Sequence, residues 1–177
     1  ALKAASAVRL ALTARQVASV KDIPSTLRAL LQGPEAVDAI WIPPDPVLME
    51  AESRRYLLAE TAKAGKPVYA STGTMVAEGA LVSNGPDLVS IGELAGELVN
   101  RLAAGEKGRM EMLVPRGELV INKKMASKLG IEVSAEAEQA WIDQCIQKAR
   151  QTGDFFENCT PGYYNNEGKP SERSAQD

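Results

Sequence analysis

Histidine is absent from this 177-residue chain. Its absence removes Ser-His-Asp and Cys-His catalysis and the usual His-based zinc site. Only two cysteines occur, Cys145 and Cys159. They cannot supply four thiolates and form no CxxC pair. They are expected to be independent or buried thiols, with a disulfide open to an exported chain. No stretch approaches the roughly 20 apolar residues of a membrane span. There is no basic block, and the net charge of −3 argues against nucleic acid or an anionic membrane as the main partner. Neither GxxxxGK[ST] nor GxGxxG occurs, so nucleotide binding has no motif support, and no metal or cofactor is expected. An initiator Met and a signal peptide are also lacking. The chain opens in what reads as mid-helix, Ala1 to Arg9, as a fragment or processed chain would.

What is present is ordinary for a globular protein, with 45% hydrophobic and 24% charged residues. Composition shifts near Ile131. Trp41, Tyr56 and Tyr69 precede it, whereas Trp141, Phe155, Phe156, Tyr163, Tyr164 and both cysteines follow. Two regions are therefore expected: residues 1–132, large enough to bury a core, and a different piece over 133–177.

The first region alternates strand and helix signals. Gln16 to Val20 is β-prone. Asp22 is placed to cap a helix with Pro24 in its first turn, an apolar face of Leu27, Leu30 and Leu31, and a stop at Gly33-Pro34. Val37 to Ile42 is a mostly apolar run, as in a strand buried on both faces. Asp45 and Pro46 then open a helix running to about Ala64. Strands are expected at Pro67 to Ala70, Gly79 to Ser83 and Leu119 to Asn122, with turns at Ser71 to Thr74 and Asn84 to Asp87. Leu88 to Ala104 has helical spacing of Ile91, Leu94, Ala95, Leu98, Val99 and Leu102, and a short helix follows the last strand to about Leu129. Strands separated by such helices imply an α/β fold, a parallel sheet with flanking helices.

In a sheet of this kind, ligands bind beyond the carboxyl ends of the strands. That rule selects the turns at Pro43 to Asp45, Ser71 to Thr74 and Asn84 to Asp87. Asp45 can cap its helix or bind a ligand ammonium or hydroxyl, and the two roles can coexist on its two oxygens. Ser71, Thr72 and Thr74 can form a capped turn, or hold a carboxylate or hydroxyl with nearby backbone N–H groups. Glu93 and Glu97 are spaced like paired carboxylates but read better as a solvated helix face, with Arg101 as the i,i+4 partner of Glu97.

The ordered set VDAIWIPPDPVL, KPVYASTGTMVAEGALVSNGPDLVSIGELAGELVNRLAAGE and VPRGELVINKKMASKLGI, within residues 1 to 132, resembles the carboxyl-terminal half of ABC-transporter substrate-binding proteins of the two-lobed periplasmic type. The resemblance implies a Rossmann-like lobe of a type I periplasmic binding protein. It implies a small polar solute such as an amino acid as ligand, a membrane permease as partner, an extracytoplasmic location and no catalysis. It also implies that Pro44, Asp45, Ser71, Thr72, Gly73, Ser83, Asn84 and Asp87 face the ligand. Most of the amino-terminal lobe of that family is missing, so half a clamp is expected to bind weakly. An exposed sheet edge or hinge face would favour a homo-oligomer.

After Ser134, the expected cap of a helix to about Arg150, the stretch AEAEQAWIDQCIQKARQTGDFFENCTPGYYNNEGKP resembles a carboxyl-terminal part of flavin-dependent Baeyer–Villiger monooxygenases. Ala137, Trp141, Cys145 and Ala149 fall on one stripe of that helix. The tail is expected to pack as a helix on the lobe, or to be loose after about Gly153, and Asn165 to Asp177 to be disordered. It carries neither dinucleotide fingerprint, so no monooxygenase activity is expected of it. Two resemblances meeting near Ile131 to Ser134 imply a join: a fusion, a rearrangement or an assembly artefact. Three readings follow: a partial solute-binding protein, a fragment of an FAD/NADPH-dependent monooxygenase, and a non-functional chimera.

Overall fold

The computed structural model describes residues 2–7, 9–34, 36–108 and 113–152. The fold is α/β, with four mostly parallel strands flanked by helices. The chain divides into two compact units, Ala1–Val68 and Tyr69–Asp177.

In the first unit, α1 (Leu2–Ala7) precedes a 3-10 turn (Val20–Asp22) and α2 (Ile23–Gln32). The β-prone run Gln16 to Val20 forms no strand. The Asp22 carboxylate organises it instead, accepting from the Ser19 N–H (2.9 Å) and the Ser19 hydroxyl (3.0 Å). It therefore turns back from α2 and gives that helix no side-chain cap. Ile23 and Leu27 are the buried positions of α2. Strand β1 is only Ile40–Trp41. Ile40 is buried and Trp41 exposed, so the run expected to be covered on both faces is covered on one. The Ile40 N–H donates to the Pro67 carbonyl just before β2 (Val68–Ala70) at 3.0 Å.

The helix expected from Pro46 to Ala64 is broken. Glu50 adopts extended ψ (140°), separating α3 (Pro46–Met49) from α4 (Ala51–Lys63). The Arg54 guanidinium reaches back to the Met49 carbonyl and bridges the break. Leu57, Leu58 and Thr61 are the buried side of α4, and the Thr61 hydroxyl donates to the Leu57 carbonyl at 2.8 Å.

The second unit carries α5 (Gly73–Ala77), β3 (Val82–Pro86), α6 (Leu88–Ala103), β4 (Gly117–Ile121), α7 (Lys123–Lys128) and α8 (Ala135–Thr152). β2 runs parallel to β3, with Tyr69 opposite Val82 and Ala70 opposite Ser83. β3 lies three residues later than Gly79 to Ser83 suggests, because Gly79 (φ 125°) ends α5 in a conformation L-residues avoid. Asn84 to Pro86 are therefore strand, not turn. β4 pairs antiparallel with β3, from Val82 opposite Ile121 to Pro86 opposite Gly117. An all-parallel reading is corrected here. Antiparallel pairing needs no crossover helix of fixed hand, so α6 is free of that constraint.

Met75, Val76, Ala80 and Ala126 are buried core residues of this unit. Asn122 caps α7 through its carboxamide oxygen (Met125 N–H, 2.8 Å) and donates to the Val76 carbonyl at 3.1 Å. Helix α8 packs on β4: Trp141 and Cys145 are buried against Leu119, Ile121 and Ile142. Ser134 caps it, accepting from the Ala137 N–H at 3.2 Å. Ala149's side chain, Cys159 and the aromatic residues from Phe155 onward lie outside the described residues, as does the expected disorder of the tail.

Candidate functional site

Sequence reasoning nominated eight residues, which fall in both units. In the first, Pro44 is exposed and Asp45 half-buried. Asp45 does cap α3, and it does so with one oxygen. Oδ1 accepts from the N–H groups of Val47 (2.9 Å) and Leu48 (3.2 Å). That geometry leaves Oδ2 for another donor, as the two-oxygen argument requires.

In the second unit the turn after β2 is built by close approach. A Cβ on Gly85 of β3 would stand 2.6 Å from the Ser71 carbonyl oxygen and 3.9 Å from the Thr72 Cα. A Cβ on Gly73 would stand 3.2 Å from Val120 Cγ2 of β4. Two glycines thus let the Ser71–Gly73 backbone settle on the sheet at the carboxyl end of β2. Thr72 occupies the N-cap position of α5, yet its side chain makes no capping bond. Its Oγ1 is buried with no hydrogen-bond partner among the described residues, and so is Ser83 Oγ.

Ser83 is 0% exposed. Strand periodicity puts Ser83 and Gly85 on one face of β3, the face against which Ser71 and Thr72 lie. Leaving a buried hydroxyl unmatched costs about 1–3 kcal/mol, so two orphans at one strand end call for a partner. Asn84 is turned to the other face, where its Oδ1 fills the space beside Gly117. The structure therefore gathers Ser71, Thr72, Gly73 and Ser83, and separates Asn84 from them.

Asp87 is buried and structurally committed. Its Oδ1 caps α6 by accepting from the Val89 N–H at 3.0 Å, and its Oδ2 lies 4.0 Å from the Arg116 guanidinium. Arg116 is a residue that sequence reasoning missed. Its backbone carbonyl accepts from the Asp87 N–H (2.8 Å), its N–H donates to Ser90 Oγ (3.0 Å), and its guanidinium donates to Glu93 (2.8 Å). No spacing rule links positions 87, 90, 93 and 116. Glu93 is thus paired with Arg116, and Glu97 stands 4.0 Å from Arg101 as a helix-face partner. The second missed residue is Ser53 on α4, whose buried Oγ also lacks a partner among the described residues.

Chemically, the second-unit turn offers hydroxyls and backbone without a charged side chain. It suits a neutral or carboxylate group held by hydrogen bonds, and offers no general acid or base. Among the described residues no cluster of acidic or cysteine side chains could hold a metal ion, and no helix is long and apolar enough to cross a membrane.

Residues 2–140 match the family described as ABC transporter substrate binding protein. A solved structure described as an ABC domain in complex with L-Trp, from Streptococcus pneumonia, is similar at 28% identity and TM-score 0.61, over 76% of this chain and 45% of that one. A conserved domain protein from Vibrio cholerae is similar in fold, at 24% identity and TM-score 0.61, over 78% of this chain and 46% of that one. So is a ligand-free, open substrate binding protein with adhesive properties from Clostridium difficile, at 19% identity and TM-score 0.58, over 76% and 44%. The chain spans less than half the length of each. A 41-residue stretch is 49% identical to the pentalenolactone D synthase of Streptomyces exfoliatus, over 23% of this chain and 7% of that enzyme.

Proposed function

Because this chain belongs to the ABC transporter substrate binding protein family, we propose that it contributes part of a solute-binding site to an ABC import system, without catalysis. The observation that carries the site is the pair of buried hydroxyls, Thr72 Oγ1 and Ser83 Oγ, that have no partner among the described residues, at the end of β2. Ser71 and Gly73 supply backbone beside them. In the first unit, considered separately, Asp45 has a carboxylate oxygen not used in capping. Pro44 belongs to the same proposal through its place beside Asp45. Asn84 and Asp87 support it less, since one faces away and the other is engaged by α6 and Arg116. In the second unit, the hydroxyls and N–H groups suit the carboxylate of an amino acid; in the first unit, taken by itself, Asp45 suits an ammonium. The similarity to a protein solved in complex with L-Trp supports the same ligand class. By family, the partner is a membrane permease and the location extracytoplasmic.

The short match to pentalenolactone D synthase supports a second reading, a relic of a monooxygenase that would bind FAD or NADPH. Thermal unfolding of the full chain separates the two. A ligand held only by the folded state at 100 times its Kd adds about 2.7 kcal/mol of stability. A raised midpoint with an amino acid and none with FAD or NADPH is the expected result. A shift with FAD alone would replace this reading with the second.

A further inference from the structure

We propose that Glu118 of β4 makes the second-unit site select an amino acid, an inference that rests on the solute-binding reading. Its carboxylate, beside the Ser71 carbonyl oxygen, receives the ligand amine while Thr72 and Ser83 hold the ligand carboxylate. The turn after β2 has no charge of its own, but β4 brings one to it. In the ladder Ser83 stands opposite Val120 and Gly85 opposite Glu118. Residues two apart on a strand share a face, so Ser83, Gly85, Val120 and Glu118 project to one side of the sheet. Contacts identify that side as the one carrying the turn. A Cβ on Gly73 would meet Val120 Cγ2 at 3.2 Å, and a Cβ on Gly85 would meet the Ser71 carbonyl oxygen at 2.6 Å.

Directly opposed residues of an antiparallel pair hold their Cβ atoms about 5 Å apart. The Glu118 side chain therefore starts one strand away from the place where the Ser71 carbonyl oxygen sits on Gly85. One further methylene carries its carboxylate, enough to reach beside that oxygen. Glu118 is half-buried. An ionised carboxylate offers about four acceptor positions, so it can serve a neighbour in its own chain and a ligand together. A charged acceptor next to a carbonyl oxygen suits a cationic N–H donor. At the same short turn, the Thr72 and Ser83 hydroxyls have no partner among the described residues and suit a carboxylate. An acid lacking the amine would satisfy the hydroxyls but be repelled by Glu118. Selectivity is that difference in affinity. A Glu118 that was only a solvated strand charge would not distinguish the two ligands.

Titration calorimetry of the full chain at neutral pH compares matched pairs: L-tryptophan with indolepropionate, L-phenylalanine with hydrocinnamate, and L-leucine with isocaproate. Each pair differs in the amine alone. The expected result is that at least one amino acid binds about tenfold or more tighter than its amine-free partner. This comparison needs no variant, so it stands even where Glu118→Gln fails to fold. Glu118→Gln should abolish the preference by weakening the amino acid and not the amine-free acid, and Glu118→Asp should retain part of it. A residue that only supported the strand would weaken both members of a pair alike. Equal binding within every pair, or a preference that survives Glu118→Gln, would overturn the proposal and leave the solute-binding reading standing. Binding of none of these compounds would overturn that reading and the proposal with it.

Discussion

Two aspartates on short turns, Asp45 and Asp87, look alike in sequence and differ in what they leave over. Both cap helices, but Asp45 spends one oxygen and Asp87 has its second oxygen beside Arg116. Asp45→Asn keeps an acceptor for the cap and removes the charge, so it should leave the melting temperature within about 2 °C while weakening binding of a ligand ammonium about tenfold or more. Asp87→Ala should instead lower stability by about 1 kcal/mol or more, read from denaturant unfolding. Gly85→Ala is expected to destabilise by about 1–3 kcal/mol, because its Cβ would meet the Ser71 carbonyl oxygen, which is backbone and cannot swing aside. Capping at Asp45 was legible in the sequence, since a small acidic residue before a helix has a local reason to be there; Asp87 was read only as part of a turn, and the cap expected of Asp22 is not made. The orphaned hydroxyls of Thr72 and Ser83 were not: lacking a partner is a property of the surroundings. Arg116 was invisible for the same reason, as its contacts span more than twenty positions.

Among elements, α8 carries the clearest consequence. It guards β4, whose Leu119 N–H donates to the Gln144 side-chain oxygen at 2.8 Å in place of a fifth strand. Lys123 and Glu138 add an ion pair between α7 and α8. Trp141→Ala should cost about 3 kcal/mol and Gln144→Leu about 1 kcal/mol in urea unfolding. The first turn of α8 is also acid-sensitive. Hydrogen bonding to its own backbone N–H and to Ser134 holds the Glu136 carboxyl below its ordinary range. A carboxyl depressed in the folded state stabilises above its unfolded value and loses that contribution as pH falls through the folded value. Trp141 fluorescence, in a Trp41→Phe background, should therefore redden once the pH falls below the ordinary carboxylate range, and do so at higher pH in Ser134→Ala.

The helices α2, α6 and α8 could be read from periodicity because each repeats its apolar spacing over several turns. The strands were harder. β1 has two residues and β2 three, too few for alternation to declare itself. β3 was misplaced because Gly79, read as the start of a strand, is the left-handed end of α5. Strand direction has no local signature, so the antiparallel β4 could not be foreseen.

At the scale of the whole molecule, the ordered motifs of residues 1 to 132 carried the fold class and the family, and the match over residues 2–140 extends into the start of α8. The chain nonetheless spans under half of its solved relatives. A solute held by this chain alone therefore has fewer groups around it than in a protein that encloses its ligand. Affinity is expected to be weak, in the range of about 0.1–1 mM. The most direct test of the solute-binding account is titration calorimetry with L-tryptophan and a panel of other amino acids. The account predicts saturable heat for at least one amino acid, lost in Thr72→Val while that variant stays folded. No heat from any amino acid at millimolar concentrations, or binding that Thr72→Val leaves unchanged, would contradict it.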